Sequence, residues 1–175
     1  DSSPSRHTQV ADILFERARR MVERGDNVII LVDSLTKLLR YCVSENAPSG
    51  RLLNGVDMAA LDRIRGYLGS ARAFEEGGSL TIIGVCSGNP NAPAEQLLRE
   101  EMRHISNWEL SLSTELAKKG IAIPILLEES GTRKATKLLN EKENASRTEW
   151  RLSLTGDPYE DATALNAKVN EDSPT

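Results

Sequence analysis

Residues 27–37 read NVIILVDSLTK: five consecutive apolar residues, four of them β-branched, end on a carboxylate that a hydroxyl follows at once. A short, continuously apolar, β-branched run predicts a strand buried on both faces, as in parallel sheets. Ser34 is placed to cap a helix through SLTKLLRYC. In open α/β sheets, ligands bind beyond the carboxyl ends of parallel strands. A carboxylate at Asp33 therefore stands where a hydrated Mg²⁺ can be held through its water shell while it bridges nucleotide phosphates. A strand-end aspartate serves equally as a turn or capping group, and this stretch alone does not choose between the two.

The flanking sequence supplies the rest of an α/β pattern. Upstream, residues 7–24 carry Val10, Ile13, Leu14, Ala18, Met21 and Val22 at helical spacing, with Gly25 as a stop. Downstream, residues 43–56 read as a loop rich in Pro, Gly and polar residues. A helix over 57–74 follows, with Met58, Leu61, Ile64, Leu68 and Ala71 on one side and EEGG (75–78) closing it. SLTIIGV (79–85) is a second buried-strand candidate. Strand, helix and strand at this spacing make a crossover unit, hence a parallel sheet flanked by helices. Beyond it come a loop (86–94), a short helix (95–103), an edge-like strand in NWELSLS (107–113) and a helical turn in ELAKKG. A strand in IAIPILL and a loop at SGTRK that leads into a helix follow. Past Asn140 the pattern weakens, and NAKVNEDSPT reads as a frayed end.

Composition narrows the partners. With 175 residues the chain is expected to hold one core, and its net charge of −4 and pI near 5.3 exclude a broad basic face. Any nucleic-acid contact must be local, through a few arginines or lysines on loops. Cys42 and Cys86 lie far apart beside only two histidines, which excludes a four-ligand zinc site and suggests two small buried thiols. His7 and His104 lack ligand-spaced companions, the carboxylate pairs Glu75–Glu76 and Glu100–Glu101 read as solvated helix ends, and Trp108 and Trp150 read as core. No apolar run approaches the ~20 residues of a membrane span, and no signal peptide opens the chain. GxxxxGK[ST], the phosphate cradle that complements a strand-end aspartate, occurs nowhere in the chain. The chain opens at Asp1 without a methionine, so the cradle is expected in a longer polypeptide unless the protein is no ATPase.

Three segments, SRHTQVADILFERARRMVERGDNVIILVDSLTKLLR, APSGRLLNGVDMAALDRIRGYLGSARAFEEGGSLTII and ESGTRKATKLLN, together resemble the C-terminal part of the ATPase domain of the transcription termination factor Rho family. The resemblance spans about residues 2–139. It implies a RecA-like three-layer α/β/α fold with a mostly parallel sheet, lacking the N-terminal P-loop portion. Residues 1–150 would form the partial ATPase domain and 151–175 a C-terminal segment, partly helical or disordered. The implied function is that of a cytoplasmic, hexameric, ATP-dependent RNA helicase or translocase that ends transcription, with RNA and RNA polymerase as partners, ATP and Mg²⁺ as cofactors, and no membrane.

Residue by residue, the resemblance makes Asp33, beside Ser34, the magnesium-site aspartate. Arg51, Leu52, Asn54 and Gly55 fall on the first pore loop, which grips RNA, here one residue shorter than usual. Arg133 falls on the arginine finger that reaches the neighbouring subunit's nucleotide. Lys37 stands where the family has an arginine sensing the γ-phosphate, so the charge is kept and the bidentate fork lost. Pro93 stands where the second pore loop has an RNA-contacting lysine, which removes charge and donor. These departures support an alternative: a degenerate RecA-like binding or assembly module without ATPase activity. A third reading is another ring ATPase of the same superfamily with a different substrate.

Overall fold

The computed structural model describes residues 3–45, 49–89 and 91–172, so Pro48 and Pro90 of the predicted loops lie outside the described residues. The chain divides into two compact units, Asp1–Ile105 and Ser106–Thr175.

In the first unit, helix α1 (Pro4–Glu23) opens with Ser3 as N-cap and Pro at its first turn. Strand β1 (Asn27–Asp33) precedes α2 (Leu35–Glu45), and β2 (Leu52–Leu53) and β3 (Val56–Asp57) lead into α3 (Met58–Leu68). Strands β4 (Arg72–Ala73) and β5 (Ser79–Val85) and helix α4 (Pro93–Ile105) complete the unit. The sheet order is β1–β5–β4. β1 and β5 run parallel from Asn27↔Ser79 to Asp33↔Val85, the crossover expected from the two apolar runs. β4 is a short antiparallel edge.

All four helices contribute to one core with Ile30 and Leu80 of the sheet. The prediction of two-sided burial for β1 is corrected: Ile30 is buried, whereas Ile29 and Leu31 are 67% and 72% exposed. Ile83 and Val85 lie open on the same face of β5. The apolar face of α1 matches the expected one at Ala18 and Val22 and differs elsewhere. Phe15, Ala18 and Val22 are buried, while Val10, Ile13 and Leu14 face solvent. Phe15 stacks on Tyr67 of α3, with ring centroids 4.4 Å apart, and that contact selects the stripe.

Two boundaries move for identifiable reasons. The helix expected over 57–74 stops at Leu68, because Gly69 caps it and the buried Ser70 hydroxyl donates to Tyr67 O at 2.6 Å. EEGG is therefore a hairpin turn between β4 and β5, closed by Phe74 N donating to Gly78 O at 3.1 Å. The expected loop 43–56 contains the β2–β3 hairpin, turned at Asn54 and Gly55 with φ of 48° and 80°. The Asn-Gly pair is the two-residue turn signal that permits this.

A polar network ties three helices together. Arg63 of α3 pairs with Asp12 of α1 and with Glu45 of α2 at 3.0 Å, and its Nε donates to Tyr67 Oη at 3.0 Å. Tyr67 Oη donates to Asp12 at 2.5 Å, and Thr8 Oγ1 donates to Glu45. Cys42 is buried beside this network, and burial pushes its thiol pKa up. Cys86 is exposed, correcting the expectation of two buried thiols.

In the second unit, β6 (Trp108–Glu109) pairs with β7 (Gly131–Thr132). Helix α5 (Thr114–Lys118), a 3-10 turn (Ala135–Lys137), α6 (Glu141–Leu152) and α7 (Pro158–Asp172) surround a small core of Leu116, Leu127, Ala135 and Ala162. IAIPILL is not a strand; only Ile125 bridges, to Leu112. Past Asn140, where the sequence pattern weakens, the chain is helical: Asn140 and Glu143 form a reciprocal capping box that starts α6. The expected boundary at 150/151 falls inside α6, and α7 carries most of NAKVNEDSPT, whose residues 173–175 lie outside the described ones. Trp108 is 51% exposed rather than core, and Lys168 lies over the half-buried Trp150 ring at 5.4 Å. Among the described residues no helix is long and apolar enough to cross a membrane.

Candidate functional site

The carboxyl ends of β1 and β5 are joined by hydroxyls. Asp33 closes β1 with its carboxylate exposed, and the next residue, Ser34, is buried. Ser34 Oγ accepts from Lys37 N at 3.3 Å, which caps the first turn of α2, and Ser87 Oγ donates to it at 3.0 Å. Ser87 N donates to Thr36 Oγ1 at 3.1 Å. The segments leaving the two parallel strands are thereby fixed to each other, with Asp33 at their rim and Lys37 exposed on the first turn of α2.

The loop after β5 is held by a carboxylate. Glu95, in the first turn of α4, is 9% exposed; its Oε1 pairs with Arg40 of α2, and its Oε2 is buried with no hydrogen-bond partner. The carboxylate lies against Gly88, where φ is +133° and any Cβ would occupy its space. Pro93 takes the first position of α4, where a missing N–H costs nothing. Pro93 thus offers no charge at this position and starts the helix instead.

Arg51, Leu52, Asn54 and Gly55 are all exposed on the β2–β3 hairpin. The hairpin is anchored at its base by Asp57, buried at the end of β3, which accepts from Ser49 N at 2.7 Å and from Ala59 N at 2.8 Å. The Ser49 N–H, and then Ala59, hold this carboxyl below the ordinary aspartate range. Met58 N donates to Arg51 O at 3.0 Å and closes the hairpin.

Arg133 belongs to the second unit, directly after β7, and is exposed. Its backbone N donates to Asn107 O at 2.8 Å. The structure therefore groups Asp33, Ser34 and Lys37 at one strand end, sets the four hairpin residues together on their own turn, and carries Arg133 in a separate unit. Thr36, Arg40, Asp57, Ser87 and Glu95 were not singled out from the sequence. For Asp57 a signal existed, an acidic residue directly before a helical run. The other four act through contacts across more than 50 residues or to backbone atoms.

The donor set fits a hydrated Mg²⁺: one exposed carboxylate with hydroxyls beside it suits an ion that keeps several waters. Among the described residues no group of three or more His, Cys, Asp or Glu forms a closed metal cage. The sequence holds no GxxxxGK[ST] phosphate cradle beside them.

No protein-family model matches the chain. In fold it is similar to a prototypical ATPase from the type III secretion system of pathogenic bacteria, with a TM-score of 0.71 at 21% identity over 86% of this chain and 43% of that one. An ATP synthase subunit from Nanoarchaeum equitans gives 0.62 at 17% identity over 87% of this chain and 40% of that one. Both comparisons place the fold among RecA-like α/β proteins. Transcription termination factor Rho of Borreliella burgdorferi is 39% identical over 173 residues, 98% of this chain and 34% of that protein. Rho of Akkermansia muciniphila is 39% identical over 159 residues, 90% of this chain and 33% of that protein. For Pseudomonas aeruginosa Rho the figures are 34% over 172 residues, 98% of this chain and 41% of that protein. The chain spans about a third of the length of these curated relatives. Such identity sustained over nearly the whole chain makes it a homologue of part of transcription termination factor Rho.

Proposed function

We propose that this chain supplies the magnesium side of a nucleotide site and an RNA-contacting hairpin to a hexameric, ATP-driven RNA translocase that ends transcription in the cytoplasm, with RNA polymerase as a partner. The observation that carries the reading is Asp33, exposed at the carboxyl end of a parallel strand, in a chain homologous to Rho proteins over nearly its full length. Mg²⁺ bound with ATP supplies charge neutralisation on the phosphate oxygens. Asp33 holds the ion's water shell, and the capped first turn of α2 keeps Ser34 and Lys37 in register with it. Lys37 acts as a point charge toward phosphate. Arg133, donated to a neighbouring subunit's site, stabilises charge on the transferring phosphoryl group. Arg51 binds RNA phosphate with its paired donors, and the Asp57 anchor holds the hairpin steady while it does so.

The alternative, an assembly module without hydrolysis, draws on Pro93 and Lys37. One experiment separates the two. This chain replaces the matching third of the Borreliella relative, and RNA-stimulated ATP hydrolysis and ring size are measured on the graft. The translocase reading expects a hexamer whose hydrolysis RNA stimulates and whose rate falls about 10³-fold or more in Arg133→Ala. A graft that assembles into rings and binds RNA without hydrolysing ATP overturns it in favour of the assembly module.

A further inference from the structure

The segment that presents Arg133 is held by more than its strand pairing. On one edge, β7 pairs with β6 through Gly131↔Glu109 and Thr132↔Trp108, and Arg133 N donates to Asn107 O at 2.8 Å. On the upstream side, the buried Ser130 hydroxyl donates to Leu126 O at 2.7 Å and accepts from Ser111 N at 2.9 Å. Two carbonyls of this turn are met by one guanidinium. Arg151 Nη2 donates to Ser130 O at 2.8 Å, and its Nη1 reaches Leu127 O at 3.5 Å.

We propose that Arg151 is a positioning residue for Arg133, a clamp from α6 on the main-chain carbonyls of the turn that carries it. The proposal rests on reading Arg133 as the arginine finger. A planar guanidinium fixes two carbonyls in direction as well as distance, which a single ammonium cannot do. Between the last clamped carbonyl, Ser130 O, and the Arg133 side chain stand only Gly131 and Thr132, both in the strand pair. The main chain leading to Arg133 is thus fixed from both sides, and the turn pays no ordering cost when its side chain engages a transition state. α6 is itself secured at its start by the Asn140–Glu143 capping box.

Two measurements test the clamp. The first is amide hydrogen exchange on this chain with Arg151→Met, which keeps the apolar stem and removes the donors. Exchange at Arg133 and Ser111 should quicken about ten-fold or more as local opening becomes easier, with Phe15 in the other unit unchanged. Unchanged exchange at Arg133 overturns the clamp. The second is a double-mutant cycle on the Borreliella graft. Arg151→Met should lower kcat about ten-fold with KM for ATP unchanged, Arg151→Lys should fall between, and Arg133→Ala with Arg151→Met together should be no slower than Arg133→Ala alone. Fully additive losses, or a loss of kcat that only follows the folded fraction, would make Arg151 merely structural and overturn the proposal. If Arg133→Ala is silent, the finger reading itself falls, a failure separate from unchanged exchange at Arg133.

Discussion

Arg63→Met probes the network that fixes the helices behind the candidate site. The Arg63 side chain is 23% exposed and donates to Asp12, Glu45 and Tyr67 Oη. Breaking a buried ion pair costs about 3–5 kcal/mol, and an exposed pair is worth at most about 1. Asp12 is half exposed, so the loss lies between these limits, at roughly 2 kcal/mol. For a unit of about 100 residues that lowers Tm by roughly 10 °C. The effect carries a pH signature. The Asp12 carboxyl is held below its ordinary range by Arg63 and the Tyr67 hydroxyl, working against burial. Glu45 is held low first by the Thr8 hydroxyl and then by Arg63. Carboxylates depressed in the folded state add stability that is fully present above their unfolded pKa values, near 4, and is lost as pH falls through the lower folded ones. Thermal melts of wild type and Arg63→Met from about pH 7 down to pH 3 should show a constant gap that narrows only below about pH 4. A gap that stays constant to pH 3, or a Tm change under about 2 °C, would refute an electrostatic tie among α1, α2 and α3.

Three further outcomes are expected. Gly88→Ala places a Cβ inside the Glu95 carboxylate at a backbone angle that favours glycine, so it should cost about 2 kcal/mol in urea unfolding, and Glu95→Ala should recover part of that loss in the double variant. Gly55→Val strains the hairpin turn at φ 80°; in the graft it should weaken RNA binding at every salt concentration while this chain's core, read by near-ultraviolet circular dichroism, stays intact. Leu31→Asp should change the stability of this chain by no more than about 0.5 kcal/mol, since the residue is 72% exposed, yet abolish hydrolysis in the graft.

The sequence displayed the parallel pair because VIILV is a continuous apolar run and SLTIIGV is rich in apolar and β-branched residues, and it displayed Asp33 because a charge ends the first of them. The face of α1 was not legible. Val10, Ile13 and Leu14 share the helical spacing of Ala18 and Val22, and only the Tyr67 ring on another helix brings Phe15 to the buried face in their place. Paired glycines suit a helix end and a hairpin turn alike, so EEGG could not report which one it makes. Helix α6 was invisible to periodicity because it buries no residue, and its start is written in Asn140 and Glu143 instead. Arg151 and Thr36 were out of reach for another reason: Arg151 acts on backbone carbonyls and Thr36 on a backbone N–H, and neither is encoded by a neighbouring side chain.

The mistaken two-sided burial of β1 is itself informative about the site. A strand with one covered face normally alternates apolar and polar residues, yet here Ile29 and Leu31 lie open, with Ile83 and Val85 beside them. Covering four such side chains is worth on the order of 5–10 kcal/mol, comparable to the whole net stability of a domain. Rho relatives are about three times as long as this chain and have the polypeptide to provide that layer. By the two-residue repeat of the strand, Asp33 projects to the same side as Ile29 and Leu31. A layer that packs on the open face therefore comes beside the Asp33 carboxylate. On the proposed reading, the apolar cover and the phosphate side of the nucleotide site meet at Asp33. Leu31→Asp, harmless in this chain, would break the nucleotide site of the graft through the sheet face alone.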